Sequence, residues 1–127
     1  MKVEKVLPPR RFEVGANKKI TISDCARIHL DSDEQVTFMT EAGAEYDVTR
    51  KAWGFYATPS TNSRLKRFNL RAVLIKNRAE QLFVLLVESD KKELFDEYVR
   101  SEELEILLWL DDQDALVQLS RLHTRAS

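Results

Sequence analysis

Two continuous apolar runs, separated by a four-residue, mostly polar connection, constrain this chain more than any other feature. Residues 70–76 carry Ala72-Val73-Leu74-Ile75, residues 81–88 carry Leu82-Phe83-Val84-Leu85-Leu86-Val87, and Asn77-Arg78-Ala79-Glu80 lies between them. Runs this short and this apolar predict strands, and so brief a connection predicts that they pair as an antiparallel hairpin. Neither run alternates with polar residues, so both are expected near the centre of a sheet, covered on both faces.

The chain before them reads as further hairpins. Ile20, Ile22, Ala26, Ile28 and Leu30 share one parity, predicting a half-buried strand or two short ones with a bend near Asp24-Cys25. A second alternation covers 35–40, with Val36 and Phe38 on one face. Residues 41–45 then form a loop in which Gly43 supplies the positive φ of a tight turn, and Tyr46 and Val48 continue the return strand. Residues 52–57, rich in aromatics, predict another strand, closed by a loop over 58–63. The first eighteen residues, with Pro8-Pro9, Arg10-Arg11 and Lys18-Lys19, are expected to be an extended, solvated lead-in.

Helical spacing begins only late. Asp90 followed by Glu93 has the form of a capping box, and Leu94, Phe95, Tyr98 and Val99 make a stripe, predicting a helix over 90–101. Residues 104–110 predict a buried strand. Asp111 or Asp112 is placed to cap a last helix whose Ala115, Leu116, Leu119 and Leu122 share a face. The order predicts an α+β fold: a mostly antiparallel sheet built from hairpins with two C-terminal helices, one domain over 19–127 after a lead-in over 1–18.

Composition narrows function chiefly by exclusion. The chain has 127 residues, 43% of them hydrophobic and 32% charged, which describes an ordinary globular protein. With one cysteine, no intrachain disulfide can form, no signal-peptide core stands at the start, and no apolar stretch approaches the ~20 residues of a membrane helix. A cytoplasmic protein without membrane insertion is expected. Three glycines write neither a P-loop nor a dinucleotide fingerprint, so no cofactor is expected. Cys25 and His29, four apart on a strand, stand ~13 Å from each other, and no metal site is expected. Cys25 reads as a small residue packed under a sheet. Asp111-Asp112-Gln113-Asp114 lacks the glycine and distal glutamate of a calcium loop.

The net charge of −1 conceals an asymmetry. Residues 48–79 contain no acid but eight basic residues: Arg50, Lys51, Arg64, Lys66, Arg67, Arg71, Lys76 and Arg78. Residues 88–114 reverse this, with eleven acids against three bases. Such a pattern predicts either an internal match of charged faces or an anion-binding side. Within it, residues 49–67 collect what an anionic ligand needs. Arg50, Arg64, Lys66 and Arg67 supply charge, and Ser60 and Asn62 supply neutral donors. Trp53, with Phe55 and Tyr56, offers flat faces to a base or sugar ring. The competing structural reading buries Trp53 and Phe55 in the core and pairs the bases with the acidic helix.

Residues 45–60, Glu-Tyr-Asp-Val-Thr-Arg-Lys-Ala-Trp-Gly-Phe-Tyr-Ala-Thr-Pro-Ser, followed by Asn62, Arg64-Leu65, Lys76-Asn77 and the Leu-Trp-Leu-Asp at 108–111, resemble a group of small bacterial proteins. These are poorly characterised proteins associated with surface-polysaccharide and sugar-nucleotide biosynthesis clusters. The resemblance spans about residues 22–111. It implies a setting in envelope glycan assembly without assigning a reaction or a catalytic residue.

The expected function is therefore a non-catalytic accessory or binding protein of cell-surface polysaccharide biosynthesis. It would hold an anionic sugar-nucleotide, a glycan intermediate or a partner enzyme through Arg50, Trp53, Tyr56, Ser60, Asn62, Arg64, Lys66 and Arg67. An alternative is a small enzyme acting on a phosphorylated or nucleotide-linked sugar, with Tyr56, His29 and Asp47 as proton carriers. Nucleic-acid binding is the second alternative; a pI near 6.1 and the acidic C-terminal third argue against it. A homodimer is expected, since an apolar strand at a sheet edge needs covering.

Overall fold

The computed structural model describes residues 1–57 and 59–126. The chain divides into two compact units, Met1–Phe38 with Asp47–Thr58, and Met39–Tyr46 with Pro59–Ser127. It is an α+β fold in which the paired strands run antiparallel and the longer helices lie toward the C-terminus.

In the first unit the residues expected as a lead-in form a strand instead. β1 (Lys2–Val14) pairs antiparallel with β2 (Ile20–His29), from Val14↔Ile20 to Lys2↔His29. The register breaks between Lys5 and Arg10, where Pro8-Pro9 lack N–H donors, and opposite that break stands Cys25. A two-stranded ribbon has no interior strand, so prolines disturb it only locally. It also has no layer of its own behind it. Ile20, Ile22 and Ile28, expected half-buried, are exposed, and so is Cys25, whose thiol donates to the Ser23 carbonyl at 3.3 Å.

β3 (Gln35–Met39), β4 (Glu45–Lys51) and β5 (Gly54–Ala57) form a three-stranded sheet in that order. Gly43 turns the first hairpin at φ +96°, its N–H donating to the Thr40 carbonyl. The strand expected over 52–57 is shorter, because Ala52-Trp53 form a two-residue turn between Lys51 and its partner Gly54. Thr58, first residue of the expected loop, lies outside the described residues.

The second unit centres on β6 (Leu70–Lys76), flanked by β7 (Leu82–Glu88) and β8 (Glu105–Trp109) in the order β7-β6-β8. The unit also holds a one-turn helix α1 (Arg64–Arg67), α2 (Lys92–Ser101) and α3 (Gln113–Ala126). Strand periodicity sends β6 into two cores. Leu70 and Ala72 pack with Ala44 and Leu65 on one face, while Val73 and Ile75 pack with Val87 and Phe95 on the other. Phe95 meets Trp109 edge-on at 5.8 Å.

Several expectations change in detail. The run 81–88 is not central: β7 is an edge strand with Leu82, Phe83, Val84 and Leu86 exposed. Asp90 does not close a capping box; it accepts from the Asn69 side-chain amide at 3.1 Å, inside a short 3-10 turn, Ser89–Lys91, that precedes α2. At α3, Asp112 accepts from the Ala115 N–H at 3.2 Å, and Asp111 turns elsewhere. Leu119 and Leu122 remain exposed on α3.

The accessible surface is 9473 Å². Even two detached globular bodies of about 50 and 75 residues would expose only on the order of 8,400 Å² by the usual size scaling. Together the residues of the two units thus leave more surface open than bodies of their lengths require. Among the described residues, no helix is long and apolar enough to cross a membrane.

Candidate functional site

The eight residues singled out in the sequence divide between the units. Arg50, Trp53 and Tyr56 belong to the first, on the β4–β5 hairpin; Ser60, Asn62, Arg64, Lys66 and Arg67 belong to the second.

On the hairpin, the aromatics are not core. Trp53 is 72%, Phe55 65% and Tyr56 52% exposed, so the reading that buries Trp53 and Phe55 is overturned. A strand only four residues long, following a two-residue turn, has too little sheet around it to cover either face. Phe55 lies across from Arg50 and Tyr56 across from Thr49, which places the two rings on opposite faces. Arg50 is fixed rather than loose: its Nε donates to the Lys51 carbonyl at 2.9 Å and one terminal nitrogen to the Leu30 carbonyl at 3.5 Å. Its guanidinium carbon stands 6.0 Å from the Phe55 ring centre, at the outer reach of a cation–π contact. The result is a hairpin with open aromatic rings on both faces and one positioned cation beside Phe55.

In the second unit, residues 60–67 form a compact turn. The Ser60 hydroxyl accepts from the Arg64 N–H at 3.0 Å and its carbonyl from the Leu65 N–H at 3.0 Å. Ser60 thus braces the turn that leads into α1, whose N-cap position is Ser63, and Leu65 anchors the helix in the core beside Ala72. Asn62, Arg64 and Arg67 are exposed, with Arg64 stacked 5.4 Å over Phe68. Lys66 leans toward Asp111, at 3.7 Å.

Asp111 is the electrostatic centre of this unit. Arg71 grips it with both arms, Nε at 2.8 Å and Nη2 at 2.9 Å. This paired hydrogen bond holds the Asp111 carboxyl below its ordinary range, against the opposing effect of burial. The guanidinium also lies 4.1 Å from the Trp109 ring centre, so it is stacked on one side and paired at its edge. The register explains the meeting: Val73 faces Trp109 across β6 and β8, and Arg71 and Asp111 are each two residues farther along in antiparallel directions.

The remaining bases of the acid-free stretch are largely matched as well. Lys51 pairs with Asp33, Lys76 with Glu105 at 3.4 Å, and Arg78 with Glu103. The partners lie in or beside β8, or in the 31–34 turn, rather than on α2. The charge asymmetry is thus expressed mainly as pairing with residues in and next to β8.

The proton carriers of the enzymatic alternative have separate roles. His29 ends β2 and meets Glu4 at 3.2 Å, which lowers the Glu4 pKa. Asp47 is buried and accepts from Thr37 Oγ1 at 2.6 Å, while Tyr56 is exposed on β5. Among the described residues, no group of three His, Cys, Asp or Glu side chains could hold a metal ion.

One feature absent from the sequence reading is a groove of about 390 Å³ between β7 and α2, where Leu86, Leu94, Phe95 and Tyr98 meet Thr40, Glu88 and Lys91. Thr40 donates to Glu88, and with Lys91 at 3.0 Å the two hold that carboxyl below its usual value. Leu94 and Tyr98 belonged to the predicted helical stripe, but spacing alone did not reveal that they stay uncovered. Comparison with family models, curated proteins and solved structures finds no match.

Proposed function

We propose that the protein is a non-catalytic binding component of bacterial cell-surface glycan assembly, which holds a ring-bearing anionic ligand such as a sugar-nucleotide or glycan intermediate. The observation that carries this reading is the exposed aromatic hairpin, with Trp53, Phe55 and Tyr56 open and Arg50 fixed beside Phe55. Sugar and base rings stack on such faces, and a fixed guanidinium adds attraction for phosphate or carboxylate. The setting in glycan assembly rests on the sequence resemblance alone. The enzymatic alternative is less favoured because His29 and Asp47 are each engaged by another side chain. Nucleic-acid binding is less favoured because Lys51, Lys66, Arg71, Lys76 and Arg78 all pair with acids.

The test is a titration with uridine- and guanosine-diphosphate sugars, sugar phosphates and inorganic phosphate, read by tryptophan fluorescence and thermal shift. Trp53→Ala should abolish the fluorescence response and the ligand-induced rise in Tm, with little change in the Tm of the free protein, because the side chain packs little. No response to any probe at millimolar concentration, or a response untouched by Trp53→Ala, would overturn the proposal.

A further inference from the structure

The two edges of the second unit's sheet are treated very differently. β8 is five residues long, begins with Glu105, and its register with β6 shifts between Leu74 and Ile75. A short strand, a charge and an irregular register are the usual protections of a free edge. β7 has none of them. It is seven residues long, and its register with β6 runs unbroken from Leu70↔Glu88 to Lys76↔Leu82. It holds no charge or proline before Glu88.

Its side chains are also uncovered. Leu82 is 60% and Val84 61% exposed, with Leu86 open on the same face and Phe83 on the other. Beside it, Leu94 and Tyr98 of α2 are exposed along the groove. A strand that is apolar on both faces and unpaired along one edge is stable in water only when something completes it.

We infer that β7 is completed by β7 of a second copy, the two strands pairing antiparallel about a two-fold axis to join their three-stranded sheets into one of six strands. The pattern is self-complementary. With the axis at Leu85, Val84 meets Leu86 of the other copy and Phe83 meets Val87, so every central cross-strand pair is apolar. Both α2 helices fall on the same face of the joined sheet, and Leu94 and Tyr98 flank the seam. Charge selects nothing foreign at this edge, because Glu88 and Lys91 already pair with each other within the copy. Leu82, Phe83, Val84, Leu86, Leu94 and Tyr98 expose on the order of 600 Å² per copy, of which edge pairing covers the part facing the seam; against roughly 800 Å² per partner in a standard interface, this places the dimer among the smaller specific contacts.

This inference does not rest on the ligand reading, whose Trp53 lies in the other unit. It is tested by sedimentation equilibrium of the full chain between about 1 and 100 µM, a span that brackets the weaker specific interfaces. The wild type should have twice the 14.8 kDa mass of the chain. Val84→Lys should weaken self-association at least ~100-fold by placing an unpaired charge in the seam, with unchanged far-UV circular dichroism. Leu86→Lys, the other member of the same cross-strand pair, supplies the same test should Val84→Lys fail to fold. Trp53→Ala should leave the dimer intact. A monomeric wild type would overturn the inference, as would a dimer that survives both lysine variants. A monomer that instead takes up an extended peptide along β7 would assign the edge to a heterologous partner and overturn it equally.

Discussion

β6 and β7 are neighbours in one sheet, paired without interruption and almost equally apolar, yet they differ in what covers them. β6 lies between two strands and buries Leu70, Ala72, Val73 and Ile75 in cores on both its faces. β7 buries only Val87, where α2 lies against it, and leaves Leu82, Phe83, Val84 and Leu86 open. A continuous apolar run says that a strand will be shielded on both faces; it does not say whether its own chain supplies the shield. β6 is shielded within the fold, whereas the shield of β7 is not supplied by its own chain.

The comparison can be broken most severely at β6. Ile75→Ala removes a fully enclosed side chain and should cost about 2–5 kcal/mol in denaturant unfolding. The loss should appear at every protein concentration. At β7 the effect is of a different kind: the wild-type Tm should rise with protein concentration, and that of Val84→Lys should not. A β7 substitution as costly as Ile75→Ala, with no dependence on concentration, would erase the distinction.

A smaller effect belongs to the pair that ties β8 to β6. Asp111→Asn leaves Arg71 with a neutral partner and should cost about 2 kcal/mol at neutral pH. Because the folded-state pKa of Asp111 lies below its ordinary 3.8, its contribution is complete above that value. It is lost as pH falls through the lower folded pKa. The stability difference between wild type and Asp111→Asn should therefore narrow below about pH 4, and a gap that persists in acid would contradict the assignment. Arg78→Ala, which breaks only an exposed pair with Glu103, should change stability by less than ~0.5 kcal/mol.

What could be read in the sequence follows the range of the interactions involved. The β6–β7 hairpin, β8 and α2 were legible because periodicity and turn chemistry are local. The edge position of β7 was not, since it depends on β8 returning to the far side of β6 rather than beside β7. The charge asymmetry was visible, but the pairing of Arg71 with Asp111 needed the β6–β8 register, forty residues apart in the chain. β1 was hidden by Pro8-Pro9, which ordinarily argue against a strand and here fall at a break in the ladder of a two-stranded ribbon. On the candidate site, Trp53 and Phe55 carry the period-two signature of a core. Only the turn at Ala52-Trp53 and the four-residue length of β5 explain why they are exposed. The helical turn at 64–67 had no periodic signal, because four residues are too few to show a helical period.

The most direct test of this account is backbone amide hydrogen exchange, residue by residue, on β6 and β7 of the wild type and of Val84→Lys. In an antiparallel edge strand, half of the amides point toward the neighbouring strand and half point away. If a second copy completes β7, both halves should be protected in the wild type to the level of β6, and the outward half should exchange quickly in Val84→Lys. Fast exchange of alternate β7 amides in the wild type would show an open edge and contradict the account.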